Sequence, residues 1–141
     1  MAVLPRSPSR DLRRAGRAVT TSAQTTTPGF DEYQELALRT ASKESLADER
    51  TMLNAAALGL NGEAGEIADH VKKVMFHGHP LDDDTKDKIA KEIGDILWYC
   101  AMGARGIGVS LGEIAQMNVD KLKKRYPEGF STERSLNRPH G

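Results

Sequence analysis

A chain of 141 residues has room for one domain and for no second sizeable core. Its single cysteine, Cys100, rules out a disulfide framework and a thiolate zinc site, which makes a reducing compartment the natural setting. The 20 basic residues balance the 20 acidic ones overall, but Arg6, Arg10, Arg13, Arg14 and Arg17 face Asp11 alone near the start, which leaves an acidic body and argues against a general nucleic-acid binder.

An acidic body suits a site that holds an anionic partner through a metal. No apolar run approaches the roughly 20 residues of a membrane span, so the expectation is a soluble, cytoplasmic protein. Residues 1–28 are rich in Arg, Ser, Thr and Pro, have little apolar periodicity, and read as a disordered tail. An Arg- and Ser-rich, acid-poor start also resembles an organellar transit peptide. With no long Ala/Leu-rich amphipathic run behind it, a floppy tail is the preferred reading.

From Phe30 onward the pattern is helical. DEYQELALRTA (Asp31 to Ala41) opens with acids, which favour a helix N-terminus, and spaces Tyr33, Leu36 and Ala37 at helical intervals. The second segment runs from about Thr51 to Phe76. Its Leu53, Ala57, Leu60, Ala64, Ile67, Val71 and Val74 alternate steps of four and three, the spacing of a bundle seam. His77-Gly78-His79-Pro80 ends it, because glycine suits a left-handed cap and proline cannot continue a helix. A third helix starts near Asp83 or Asp84, carries Ile89, Ile93, Ile96, Leu97 and Cys100, and breaks at Gly106-Ile107-Gly108. Ser110-Leu111-Gly112-Glu113 then has the form of a capping box, opening a fourth helix with Leu111, Ile114, Ala115, Val119 and Leu122 that reaches Tyr126-Pro127. No strand-like alternation occurs. The expected fold is an all-α bundle of about four helices over 29–130, followed by a flexible tail at 131–141.

The chemistry lies in two carboxylate pairs. NGEAGEIADHVKK places Glu63 and Glu66 three residues apart beside the Leu60–Ile67–Val71 seam, and KEIGDILWYC repeats the spacing with Glu92 and Asp95. Residues three apart on a helix are neighbours, so if the two helices pack antiparallel the four carboxylates converge. Unpaired, they repel and raise one another's pKa values. A hard divalent cation resolves the conflict, and Mg²⁺ takes carboxylates, water and substrate phosphates; Mn²⁺ is the possible substitute. Gly62, Gly65 and Gly94 sit beside the pairs, each unfavourable by about 1 kcal/mol relative to Ala inside a helix, which suggests a close approach there. Either pair alone would read as a solvated acid pair. A di-iron site would need Glu-x-x-His on two helices, and the third residue after Glu66 is Asp69.

The ordered blocks LGLNGEAGEIADHVKK, FHGHPLD, KEIGDILWYCA and NVDKLKKRYPEGF resemble the MazG-like, all-α nucleoside triphosphate pyrophosphohydrolases, over about Phe30 to Phe130. The resemblance implies Mg²⁺ binding by Glu63, Glu66, Glu92 and Asp95, and cleavage between the α- and β-phosphates to give a monophosphate and pyrophosphate. Glu63 or Glu66 would orient or deprotonate the water. Asn118, Lys121 and Arg125 match that family's Asn-x-x-Lys-x-x-x-Arg block and would contact phosphates, as would Lys72 or Lys73. Tyr99 would stack on or hydrogen-bond the base, Trp98 reads equally as core or interface, and Tyr33-Gln34 could read the base edge. A homodimer or dimer of dimers is also implied. Relatives that discriminate pyrimidines carry an aromatic seven residues after the second Glu, where this chain has Lys73, so no base preference carries over. The alternatives are a phosphoribosyl-ATP pyrophosphatase-like enzyme and a non-catalytic helical interaction module on the same fold.

Overall fold

The computed structural model describes residues 27–137; the predicted tail, apart from Thr27 and Pro28, lies outside the described residues. Among the described residues five helices follow one another: α1 (Phe30–Leu38), α2 (Glu49–Phe76), α3 (Asp83–Gly106), α4 (Leu111–Arg125) and α5 (Thr132–Leu136). No strand occurs among the described residues. The fold is all-α, and no helix there is long and apolar enough to cross a membrane.

Short polar side chains set the helix starts. Asp48 Oδ1 accepts from the Thr51 N–H (2.7 Å) and Asp82 Oδ1 from the Thr85 N–H (2.9 Å), each satisfying a donor the helix leaves open. At α4 the capping box is reciprocal: Ser110 Oγ accepts from the Glu113 N–H (3.1 Å) while Glu113 Oε2 accepts from the Ser110 N–H (3.4 Å). The breaks follow from glycine. Gly78 (φ 72°) and Gly108 (φ 67°) adopt the left-handed conformation just past the ends of α2 and α3. The sequence reading carried the first helix to Ala41. In the structure α1 stops at Leu38, and its end tightens, the N–H groups of Thr40 and Ala41 donating to Ala37 O and Leu38 O at 3.1 Å.

The α2–α3 hairpin is the long axis, α1 packs on α3, and α4 packs on α1 and α3. Burial is concentrated at one end of that hairpin, where Leu38, Ala56, Ala101, Met102, Ala104 and Leu111 form the core, with Met102 fully enclosed. Two α1 side chains close the start of α4. The buried Gln34 accepts at Oε1 from the Leu111 N–H (2.7 Å), and Asp31 Oδ1 accepts from the Gly112 N–H (2.8 Å). Trp98 ties α3 to the end of α1, its Nε1–H donating to Ala37 O (3.0 Å) and Thr40 Oγ1 (2.9 Å).

The predicted seam of α2 is only half covered. Leu60, Ile67 and Val74 are partly buried, whereas Leu53, Ala57, Ala64 and Val71 are exposed, and the residue fully inside is Ala56. Only α3 runs along the whole of α2, so the hairpin's far end lacks a second layer. Met75 and Phe76 are correspondingly open to solvent, at 67% and 79%.

Candidate functional site

The spacing of three on each helix turns Glu63 of α2 toward Glu92 and Asp95 of α3. Each offers a carboxylate oxygen, and these three lie within 4.8 Å of one another. Glu63 and Glu92 are half-buried and Asp95 is exposed. Loss of water raises the Glu63 carboxyl above its ordinary 4.5, and the charges of Asp95 and Glu92, a hydrogen bond with Glu92, and the Glu66 charge push it the same way. His70 Nε2 stands 3.9 Å from Glu92 Oε1. Three converging oxygen donors at the cost of mutual repulsion are the donor set of a hard divalent cation. The residues present fit that ion.

Glu66 is one turn beyond Glu63, exposed and outside the group of three. Its charge still reaches Glu63. Beside the carboxylates opens a cleft of about 300 Å³ lined by Thr40, Glu63, Asp95, Trp98 and Tyr99. The Trp98 and Tyr99 rings meet edge to face, centroids 5.0 Å apart at 84°. Tyr99 lines the cleft one turn past Asp95. Trp98 serves both as a core contact and as cleft wall, and Thr40, just past the end of α1, gave no sequence signal. Tyr33 of α1 packs against the core; burial, then the Asp95 charge and then Cys100, raise its phenol above the ordinary range.

Other expectations come out differently. Gln34 does not read a base edge, because its side chain is buried and committed to the start of α4. Gly62, Gly65 and Gly94 make no close approach within the chain, since a Cβ at each would meet no atom within 4 Å. The close approach is at Gly59, where a Cβ would overlap the Tyr99 ring. Lys72 Nζ is held by Asp69 Oδ1 (2.6 Å) and Lys73 Nζ by Asp69 Oδ2 (2.5 Å), and these lysines hold the Asp69 carboxyl down at about 2. Asn118, Lys121 and Arg125 share α4 but do not line the cleft; Asn118 and Lys121 are exposed, and the Arg125 guanidinium lies 5.7 Å from the Tyr126 ring centroid.

The gene 37 protein of Mycobacterium phage L5 is 35% identical over 102 residues, which cover 70% of this chain and 90% of that protein. The family model described as the MazG nucleotide pyrophosphohydrolase domain matches residues 52–130, a segment that contains Glu63, Glu66, Glu92, Asp95, Trp98 and Tyr99. With the match covering more than half its length and the acidic trio falling inside it, the chain belongs to the MazG nucleotide pyrophosphohydrolase domain family.

Proposed function

We propose that the protein hydrolyses nucleoside triphosphates between the α- and β-phosphates, releasing a nucleoside monophosphate and pyrophosphate, with Mg²⁺ as its cofactor. The observation that carries this reading is the trio Glu63, Glu92 and Asp95, gathered within 4.8 Å at the mouth of an aromatic-walled cleft. These three would hold the cation, with Glu66 one turn away as a further carboxylate; Mn²⁺ is the substitute. When bound, the ion neutralises phosphate oxygens and lowers the pKa of water.

The chain's own groups do the rest. Trp98 and Tyr99 offer ring faces to a base. Glu63 or Glu66 takes the proton of the attacking water. The water oxygen bonds to the α-phosphorus, the bond from that phosphorus to the α–β bridging oxygen breaks, and the electron pair leaves with pyrophosphate. No side chain of the cleft singles out one base. Several triphosphates, deoxynucleotides among them, are the expected substrates of a nucleotide-pool house-cleaning role, with 29–130 as the catalytic unit.

A homodimer or dimer of dimers completes the proposal. Only six hydrophobic side chains are buried in the described chain, while Met117, Val119 and Leu122 of α4 and Met75 and Phe76 of α2 are exposed. A second copy would cover such surface and is the route by which Asn118, Lys121 and Arg125 reach a phosphate.

A panel of ribo- and deoxynucleoside triphosphates with Mg²⁺ or Mn²⁺, read separately for pyrophosphate and orthophosphate, tests the reading. Pyrophosphate as the first product supports it. Orthophosphate as the first product, or no turnover across the panel, overturns it.

A further inference from the structure

The chain has a single tryptophan, Trp98, and its orientation is set by groups outside the helix that carries it. Trp98 is one turn past Asp95 on α3 and walls the cleft with Thr40, Glu63, Asp95 and Tyr99. Its Nε1–H donates to two acceptors at once, Ala37 O (3.0 Å) and Thr40 Oγ1 (2.9 Å). The tightened end of α1 creates that pair. The Thr40 N–H bonds back to Ala37 O (3.1 Å), which brings the Thr40 side chain beside the carbonyl.

The donors and acceptors present assign each group its part. A threonine hydroxyl has one proton to give and two lone pairs. The Thr40 proton goes to Ala37 O (2.7 Å), so Thr40 Oγ1 meets the indole as an acceptor. Ala37 O is then shared by three donors, the Thr40 N–H, the Thr40 hydroxyl and the indole, against two lone pairs. Thr40 Oγ1 supplies the acceptor that the crowded carbonyl lacks. Two acceptors side by side also fix the direction of the N–H bond, where one alone would let the ring swing about it. The effect passes on, because the indole meets the Tyr99 ring edge to face and Tyr99 fills the space at Gly59. The two aromatic walls of the cleft take their places from Thr40 on one side and from Gly59 on the other.

We propose that Thr40 is a positioning residue for the cleft, holding the Trp98 indole at the angle at which a nucleotide meets it. Thr40 lies before residue 52, where the match to the family model begins. It acts through Trp98 and not on the reacting atoms. The use of the cleft for a nucleotide rests on the pyrophosphohydrolase reading; the hold of Thr40 on the indole does not. Thr40 is exposed, and without its hydroxyl the indole N–H still has Ala37 O, so its loss orphans no donor. Thr40→Val therefore changes the orientation of the ring and leaves the fold in place.

The single tryptophan makes the test direct, because the full chain shows one indole N–H resonance in a nitrogen–proton correlation spectrum. Thr40→Val matches threonine in shape and removes only the hydroxyl. It should move that resonance upfield and, with Mg²⁺, raise KM for a nucleoside triphosphate about two- to tenfold, the net effect of one hydrogen bond. The kcat should stay unchanged, and circular dichroism checks the fold. Thr40→Ser keeps the hydroxyl and should restore both the resonance and KM. In a Trp98→Phe background, Thr40→Val should leave KM where it is. An indole resonance that stays at its wild-type position in Thr40→Val overturns the hold on the ring. A KM loss of equal size in the Trp98→Phe background, or a fall in kcat at constant KM, overturns the action through Trp98. If no triphosphate is turned over, the pyrophosphohydrolase reading falls, and calorimetric titration of each triphosphate of the panel takes the place of KM. A moved resonance with weaker binding then supports the positioning role, and unchanged or absent binding overturns it.

Discussion

The ring of Tyr99 on α3 fills the space beside Gly59 on α2 that any side chain at residue 59 would need. A helix-interior glycine is unfavourable by about 1 kcal/mol relative to Ala, so the position is held against its own propensity. Gly59→Ala is expected to destabilise the wild-type chain by about 1–3 kcal/mol through overpacking, and to raise KM for nucleotide by displacing the ring. In a Tyr99→Ala background the same change should stabilise, by up to about 1 kcal/mol. A double-mutant cycle in denaturant reads the reversal of sign; equal effects in both backgrounds would remove the ring from the account.

Glu92 stands between the two other carboxylates of the site and His70. Glu92→Gln is nearly isosteric and removes one charge. It should cut Mg²⁺-dependent pyrophosphate release at least about a hundredfold, with helix content and Tm retained. Wild-type turnover in this variant would detach the trio from the reaction.

Stability should depend on pH through Glu63. Its folded-state pKa is raised above the ordinary 4.5, chiefly by burial and then by the Asp95 and Glu92 charges, so the folded chain binds this proton more tightly than the unfolded chain does. That contribution is fully present below 4.5 and is lost as pH rises through the raised value. In chelator, therefore, Glu63→Gln should gain in Tm on the wild type as pH rises across that window, and saturating Mg²⁺ should shrink the gain. Asp69 acts oppositely: its contribution is present above 3.8 and lost as pH falls through about 2. A Tm difference between wild type and Glu63→Gln that stays flat with pH in chelator contradicts the electrostatic account.

Among the described residues, Met102 is the one large side chain that is fully enclosed. Met102→Ala should cost about 2–5 kcal/mol, measured by urea unfolding. Met75→Ala, at an exposed position on the far end of the hairpin, should cost well under 1 kcal/mol in an isolated chain. If a second copy covers Met75, the cost should instead grow with protein concentration.

Light scattering at micromolar concentration addresses that assembly directly. The expected mass is a dimer or tetramer, and Phe76→Asp together with Met117→Asp should shift it toward the monomer. A monomeric wild type would refute the proposed assembly.

The helices were legible because local chemistry writes their ends. Ser110 and Glu113 cap each other as their spacing says, and Gly78 and Gly108 turn left-handed where the pattern breaks. The Asp48 cap was equally local, and starts α2 before the apolar periodicity does. The carboxylate trio was legible because a spacing of three on two antiparallel helices leaves few other arrangements. Packing across the chain was not. Nothing around Gln34 says that its amide will serve α4 rather than a ligand, and nothing around Thr40 places it at the cleft, since each depends on a partner about sixty to eighty residues away. Gly59 was missed for the same reason: a glycine reports a close neighbour without naming it.

The way α1 holds the first turn of α4 bears on where this protein can be cut. The segment matched by the family model begins at residue 52, after α1 has ended. A fragment beginning there would keep every carboxylate of the site, yet lose Leu38 from the interior, both acceptors at Leu111 and Gly112, and both acceptors of the Trp98 indole. Trp98 is a wall of the cleft, so that loss reaches the cleft as well as the core. The stretch by which relatives are recognised is shorter than the stretch that must be expressed for the site to keep its shape.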